Sequence, residues 1–317
     1  MIRAFIFAII LAAQAAQADV PARLETAFRA WAEDVAADAA VLTIWRKGEH
    51  ISDVALGMEP GQPVELASLS KAITALCTAH LMQAGVWVPE TTSKAVLGYG
   101  PDAITVAALM THSAGLGPDQ TQTLMPLWLD TPEDRAALAA KTALQRSLQT
   151  GEIGSFSYSN ENYAVLGAMI ATQTGRTYAA YCEKAVLSPA GVTTAQLSSR
   201  SGGMASWGGW QMSAQDYARL MHWDYGPQGM IGKAPQDWPQ AQMGGGTFYG
   251  VGMTQRRFRG AMNYWHFGAL CFPKRLNIGS YAVRWMAGWS VVVAYDRCVD
   301  WDAMTRLDNV LARAVFQ

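Results

Sequence analysis

Apolar positions change their period twice along the chain. Residues 21–37 place Leu24, Phe28 and Trp31 on one side of a helix. Residues 39–46 read as a strand, Lys47, Gly48 and Glu49 as a turn, and residues 50–56 as the return strand of a hairpin. After a loop over 57–63, a strongly helical run carries Ile73, Leu76, Cys77, His80 and Leu81, the spacing of one buried helix face. From Gly85 to about Gly244 the pattern is helix and loop, with almost no strand signal. A short helix is expected at 104–110, and one at 132–148 with Thr131 as its cap. Others follow at 162–174, stopped by Gly175, and at 178–187, ended by Pro189. Ser213 caps a further helix running to about His222, with Asp216 in the capping-box position. Strands return near Tyr249. Residues 263–272, 280–286 and 289–295 look like three consecutive antiparallel strands, and 301–316 closes the chain as a helix.

This order predicts an α+β fold. Strands from both ends join into one antiparallel sheet, the terminal helices flank it, and a helical lobe is inserted. The sheet part spans 19–80 and 245–317 and the lobe 81–244, within a single domain over 19–317. A catalytic cleft is expected between the two parts.

The chain has 317 residues, half of them hydrophobic and 15% charged, which supports a sizeable core. A formal net charge of -1 with no basic cluster argues against a nucleic-acid partner. Met1-Ile2-Arg3, an apolar run to Ala13 and Ala16-Gln17-Ala18 make a short positive region, an apolar region and an A-x-A cleavage site. Residues 1–18 therefore read as a cleavable signal peptide, and the protein as periplasmic or secreted. The apolar run is too short to span a membrane, so no stable span is expected after cleavage. Export makes disulfides possible. The four cysteines include no C-x-x-C pair, so neither a metal site nor a thioredoxin-type site is expected, and no cofactor is implied. Cys77, on an apolar helix face, reads as a buried thiol. Cys271 and Cys298 follow strands ending on the same side. Strands two apart lie roughly 9–10 Å from each other, beyond disulfide reach unless the chain bends after Tyr295.

Candidate chemistry lies in three pieces. Ser68 opens the helix that follows it, with Lys71 one turn on and on the same face. A serine hydroxyl needs a base, and a lysine in a dry pocket is depressed enough to be one. The helix N-terminus favours negative charge developing on the serine oxygen. Tyr158 and Asn160 sit in a serine-rich loop. Tyr158 serves as general base or proton shuttle if nearby positive charge deprotonates its phenol, and Asn160 offers an amide to Lys71 and to a substrate carbonyl. His266, Phe267 and Gly268 lie on the first strand of the C-terminal sheet. Gly268 lets a substrate backbone approach the strand edge, and the N–H groups of Ala269 and Ser68 form a candidate oxyanion hole. Each piece alone has a structural explanation: a helix cap with a solvated lysine, ordinary loop residues, a packed strand histidine. Their order and spacing together carry the weight.

With these motifs in hand, the chain resembles the serine penicillin-recognising enzymes, in the branch of class C β-lactamases, D-Ala-D-Ala carboxypeptidases and related esterases. The likeness covers Glu65 to Lys71, Leu109 to Leu116, Tyr158-Ser-Asn160 with Tyr163 to Gly167, Gly208 to Asp216, and Tyr249 to Gly252. It implies an acyl-serine mechanism with Ser68 as nucleophile, Lys71 and Tyr158 as the proton-transfer pair, and Asn160, His266, Gly268 and Ala269 around the substrate. The substrate is then a small molecule or peptide, peptidoglycan-derived molecules included. The third motif departs from the family's Lys-Thr-Gly or Lys-Ser-Gly: Phe267 donates no hydrogen bond and His266 is at most partly charged at neutral pH. Acyl transfer on esters or amides is therefore expected over efficient β-lactam turnover. A lipase-type hydrolase is disfavoured because no G-x-S-x-G occurs. The intact Ser68, Lys71, Tyr158 and Asn160 argue against a binding protein that merely keeps the fold; a receptor that acylates but deacylates slowly stays open.

Overall fold

The computed structural model describes residues 19–131, 133–146 and 151–317; the leader expected over 1–18 lies outside them. Strands β1 (Ala40–Arg46) and β2 (Glu49–Leu56) form the expected hairpin. Two short strands, β3 (Val64–Glu65) and β4 (Gln196–Leu197), flank β5 (Trp210–Met212) in a small sheet. The strands β6 (Ala241–Gly244), β7 (Thr247–Gly250), β8 (Met253–Phe258), β9 (Ala261–Phe272), β10 (Leu276–Arg284) and β11 (Trp289–Tyr295) complete the large sheet. Its order is β2-β1-β11-β10-β9-β8-β7-β6, antiparallel throughout, so the two chain ends meet at the β1–β11 pair. The fold is thus α+β, with an antiparallel sheet, as the residue pattern predicts.

Every residue of β11 is buried, because both faces of the sheet are covered. Val291, Val293 and Tyr295 pack under helix α1 (Val20–Asp34), while Val292 and Ala294 face the opposite core. The Trp31 indole N–H donates to the Ala303 carbonyl at 2.9 Å, tying α1 to the C-terminal helix Trp301–Phe316. Helix α2 (Ser70–Gln83) was expected to bury one face. Instead every residue from Ser70 to Ala79 is buried, so it is a core helix, enclosed between the sheet and the lobe.

Two boundaries differ from the pattern, each for a local reason. Helix α3 (Ala136–Leu144) starts four residues after 132. The Thr131 hydroxyl bonds the Trp128 carbonyl at 2.8 Å, and Asp134 accepts from the Ala136 N–H at 2.8 Å. Helix α4 (Asn160–Thr174) starts two residues early, since Ser159 Oγ accepts from the Glu161 N–H and makes Asn160 its first residue. Helix α5 (Ala214–Tyr225) has the expected Ser213 cap, at 3.1 Å from the Asp216 N–H. The Asp216 carboxylate instead accepts from the N–H groups of Thr193 and Thr194. Strands β4 and β5, two and three residues long, are too short to show an alternation.

All four cysteines pair. Cys77 is not a thiol: it meets Cys182 with Cα atoms 5.5 Å apart across a sequence separation of 105. That partner is invisible to sequence spacing. Cys271 and Cys298 also bond, Cα to Cα 5.4 Å. The chain does bend after Tyr295, held where the Asp296 N–H donates to the Ala39 carbonyl. Among the described residues no helix is long and apolar enough to cross a membrane, and no acidic, histidine or cysteine group has the makings of a metal site.

Candidate active site

Ser68 lies in a tight turn, Ala67–Leu69, that runs straight into α2. Ala67 holds a positive φ of 47°, a strained conformation for a residue with a side chain. Four tertiary bonds hold the turn there. Leu66 N–H donates to the Trp210 carbonyl at 2.9 Å, and Ser70 Oγ accepts from the Trp210 N–H at 3.1 Å. The Leu66 carbonyl accepts from Ser280 Oγ at 2.7 Å, and the Leu69 carbonyl from the Tyr217 hydroxyl at 3.1 Å. Ser68 alone of this turn is partly open, and it opens onto a cavity.

Lys71 is fully buried one turn on. Its Nζ donates to Ser68 Oγ at 3.0 Å, Asn160 Oδ1 at 2.8 Å and the Trp207 carbonyl at 2.9 Å. Burial pulls its pKa down to about 7, against the opposing pull of the Asp119 carboxylate. Near neutral pH a large share of Lys71 is therefore the free amine, within reach of the Ser68 proton. Asn160 does less than expected. Its Oδ1 holds Lys71 and its Nδ2 donates to Thr121 Oγ1 at 3.1 Å, so its amide is committed within the protein and it does not border the cavity. Asp119 sets that arrangement, accepting from the Asn160 N–H at 2.8 Å and the Thr121 hydroxyl at 2.6 Å.

Tyr158 is 43% exposed and borders the cavity, with Lys71 Nζ 5.0 Å from its ring centre. Its phenol is not deprotonated by that neighbour. Although the side chain is open on one side, the dense surroundings on the Ser68 side desolvate the phenol and hold its pKa above the ordinary value, and the hydrogen bond to Ser68 offsets this only in part. The expectation of a phenolate base is thereby corrected: the depressed group is Lys71. Behind Tyr158, with ring centres 4.3 Å apart and the planes tilted by 34°, lies His112, fully buried and with its pKa lowered first by burial and then by the Lys71 charge.

The third motif is also changed by its surroundings. His266 is 6% exposed, with its Nδ1 2.5 Å from the Phe267 carbonyl and its Nε2 3.2 Å from the Tyr249 hydroxyl. Burial, then the Lys71 charge, brings its pKa to about 3. It is neutral at pH 7, not partly charged. Phe267 stacks on Tyr281 at 4.5 Å and lies against Trp301 at 5.5 Å, both Phe267 and Trp301 also bordering the cavity. Gly268 has a use other than admitting substrate. A Cβ there would lie 2.7 Å from the Leu66 carbonyl oxygen and 2.9 Å from the Ser68 nitrogen, so its bareness lets the nucleophile turn sit against β9. Ala269 borders the cavity beside Ser68. Strand β8 pairs with β9 only as far as Trp265, leaving the 266–272 stretch without a β8 partner. The cavity of about 360 Å³ is walled by Phe156, Met243, Tyr249, Phe267, Trp301 and Met304, and among the described residues no carboxylate, lysine or arginine lines it.

A family model described as Beta-lactamase matches residues 24–297, most of the chain. The chain belongs to the beta-lactamase family. This is a serine hydrolase family by fold, and the solved structures agree with it. A class C beta lactamase from Rhodobacter sphaeroides superposes with a TM-score of 0.74 at 16% identity, covering 93% of this chain and 99% of that one. A D-amino acid amidase from Ochrobactrum anthropi does so at 0.74 and 16%, covering 93% and 99%. A penicillin binding protein from Bacillus halodurans gives 0.71 at 18%, covering 89% and 98%. At these identities the likeness is one of fold. No curated protein sequence matches at a significant level.

Within this beta-lactamase-family site, Ser68, Lys71, Tyr158, His266, Gly268 and Ala269 come together, and Asn160 stands behind Lys71. The residue reading missed Asp119, Thr121 and the Trp207 carbonyl. Only Asp119 left a signal, as the turn former after Gly117-Pro118. Gly252, in the Tyr249 to Gly252 motif, also has a structural cause. It has φ +76°, and a Cβ there would lie 2.5 Å from the Ala72 Cα, so the β7–β8 turn seats directly on α2.

Proposed function

We propose that this protein is a serine hydrolase that acts through an acyl-serine intermediate on neutral esters or amides with an apolar acyl part. The carrying observation is the buried Lys71 amine, poised near pKa 7 and 3.0 Å from Ser68 Oγ. In this reading Lys71 takes the Ser68 proton as Oγ attacks the substrate carbonyl. The carbonyl oxygen is received by the N–H groups of Ser68 and Ala269. The protonated Tyr158, hydrogen-bonded to Ser68, then relays the proton from Lys71 to the departing alcohol or amine. Water releases the acyl group by the same route. Asn160, with Thr121 and Asp119 behind it, positions Lys71. Small molecules or D-amino-acid peptides, peptidoglycan-derived ones included, fit the cleft's open strand edge at 266–272. Two disulfides support an exported location, periplasmic or secreted.

The test is a serine-directed phosphonate followed by peptide mass mapping. The adduct is expected on Ser68; an adduct on Ser113 or Ser159 overturns the assignment. Rapid turnover of a p-nitrophenyl ester distinguishes a hydrolase from a receptor, which gives a stable band with fluorescent penicillin and no turnover.

A further inference from the structure

A second recess lies on the lobe side of the same sheet. Arg284, at the end of β10, is 7% exposed, its Nε is buried without a hydrogen-bond partner, and its Nη1 reaches the Trp285 carbonyl at 3.4 Å. Tyr264 stands opposite on β9, and its hydroxyl is also buried and unpartnered. Asp224, near the end of α5, leaves its Oδ2 in the same state. Buried polar groups of this kind are normally satisfied, and three around two adjoining recesses call for an explanation.

The space is there. Asp224 and Arg284 border a cavity of about 970 Å³, and Tyr264 and Arg284 border an adjoining one of about 280 Å³. The two share Pro227, Lys233, Arg284 and Met286, and neither shares a lining residue with the Ser68 cavity. Exposed Lys47 and Lys233 stand on the first rim and exposed Arg257 on the second. Burial raises the Asp224 carboxyl to about 7, so the recess's acid is half neutralised there and opposes an anion only weakly. His222, also in the lining, is held below its usual value by burial and by Arg284. In a chain with formal net charge -1, this is a local excess of positive charge around a buried guanidinium.

We propose that this recess is a second ligand site, taking a small carboxylate- or phosphate-bearing molecule whose oxyanion sits on Arg284. A guanidinium presents paired donors that match a planar or tetrahedral oxyanion. Tyr264 is placed to donate a further bond, Lys233 and Arg257 draw the anion in, and Asp224 meets a hydroxyl or amine elsewhere on the ligand.

The experiment is calorimetric titration at pH 7 with sodium phosphate and, separately, sodium succinate, against sodium chloride at matched ionic strength. Saturable one-site binding of at least one oxyanion is expected, weakened about tenfold or more in Arg284→Met. The exposed double variant Lys233→Ala/Arg257→Ala is expected to weaken it several-fold, and it decides the matter if Arg284→Met does not fold. Phosphate binding alone assigns a phosphate-bearing ligand; succinate binding alone assigns a carboxylate. Heats from both anions no larger than those from chloride overturn the proposal and leave a recess holding water alone. Binding that both variants keep unchanged overturns it too.

Discussion

If Lys71 is the base, the rate must follow its free-amine fraction. With a pKa of about 7, roughly a tenth of the site is competent at pH 6 and roughly nine tenths at pH 8. The acylation-limited kcat/KM on a neutral p-nitrophenyl ester is therefore expected to rise about tenfold from pH 6 to 8, with unit slope below the pKa and a plateau above. Asp119 makes the argument sharper. Its charge favours protonated Lys71, so Asp119→Asn, which keeps a side-chain oxygen for the Asn160 N–H, lowers the Lys71 pKa further. The acid limb should move to lower pH, and the variant should keep more of its own plateau rate at pH 6 than wild type does. Each unit of downward shift leaves about ten times more free amine on the acid side. The assay is kcat/KM from pH 5 to 9, corrected for spontaneous hydrolysis. A wild-type profile flat from pH 5 to 7, or a limb first rising near pH 9–10, would assign the base elsewhere. An acid limb that moves to higher pH in Asp119→Asn refutes the electrostatic reasoning outright.

Tyr158→Phe should cost on the order of 10² or more in rate, and adding it to Lys71→Ala should cost little further, because the two act as a unit; near-full activity in Tyr158→Phe makes Tyr158 structural. Gly268→Ala should abolish activity, since its Cβ cannot coexist with the Ser68 nitrogen at 2.9 Å, and phosphonate labelling at the wild-type rate would show that the turn accommodates it. Cys77→Ala/Cys182→Ala opens a loop of 105 residues, for which chain entropy gives up to about 5 kcal/mol; an unchanged denaturation midpoint would mean that the bond constrains nothing. For selectivity, a short-chain p-nitrophenyl ester should be turned over with a higher kcat/KM than a chromogenic cephalosporin. Cephalosporin hydrolysis near the diffusional range, about 10⁷–10⁸ M⁻¹s⁻¹, would mean that other residues hold its carboxylate.

What the residues disclosed and what they hid follows from the range of each interaction. The sheet was legible because β1 and β11 are largely apolar runs, and the N-terminal helix because Leu24, Phe28 and Trp31 recur at helical spacing. Ser68 and Lys71 were legible because their contact spans one helical turn. Pairings across long separations were not. Nothing near Cys77 points to Cys182, and nothing near Lys71 points to the Trp207 carbonyl 136 residues on. The condition set for a phenolate at Tyr158 is not met, because desolvation, joined by the Asp119 charge, raises its pKa, and neither is visible from the local sequence. Gly268 was read as serving the substrate because the nucleophile turn that abuts it, 200 residues away in sequence, cannot be seen from β9 alone.

The absence of charge in the cleft and the free amine of Lys71 have one cause. Desolvation lowers Lys71 toward neutrality and takes His266 far below its titration range. A lysine base works only while unprotonated, and any anion brought near its Nζ favours the protonated form. A substrate carboxylate held beside Ser68 would thus pull the Lys71 pKa upward and reduce the competent fraction at neutral pH. With Phe267 stacked on Tyr281 and His266 uncharged, no cationic side chain among the described residues borders the cavity to offset that effect. The proposed preference for neutral substrates thus has two grounds: among the described residues no cationic side chain borders the cavity, and a bound carboxylate would raise the Lys71 pKa and shrink the free-amine fraction.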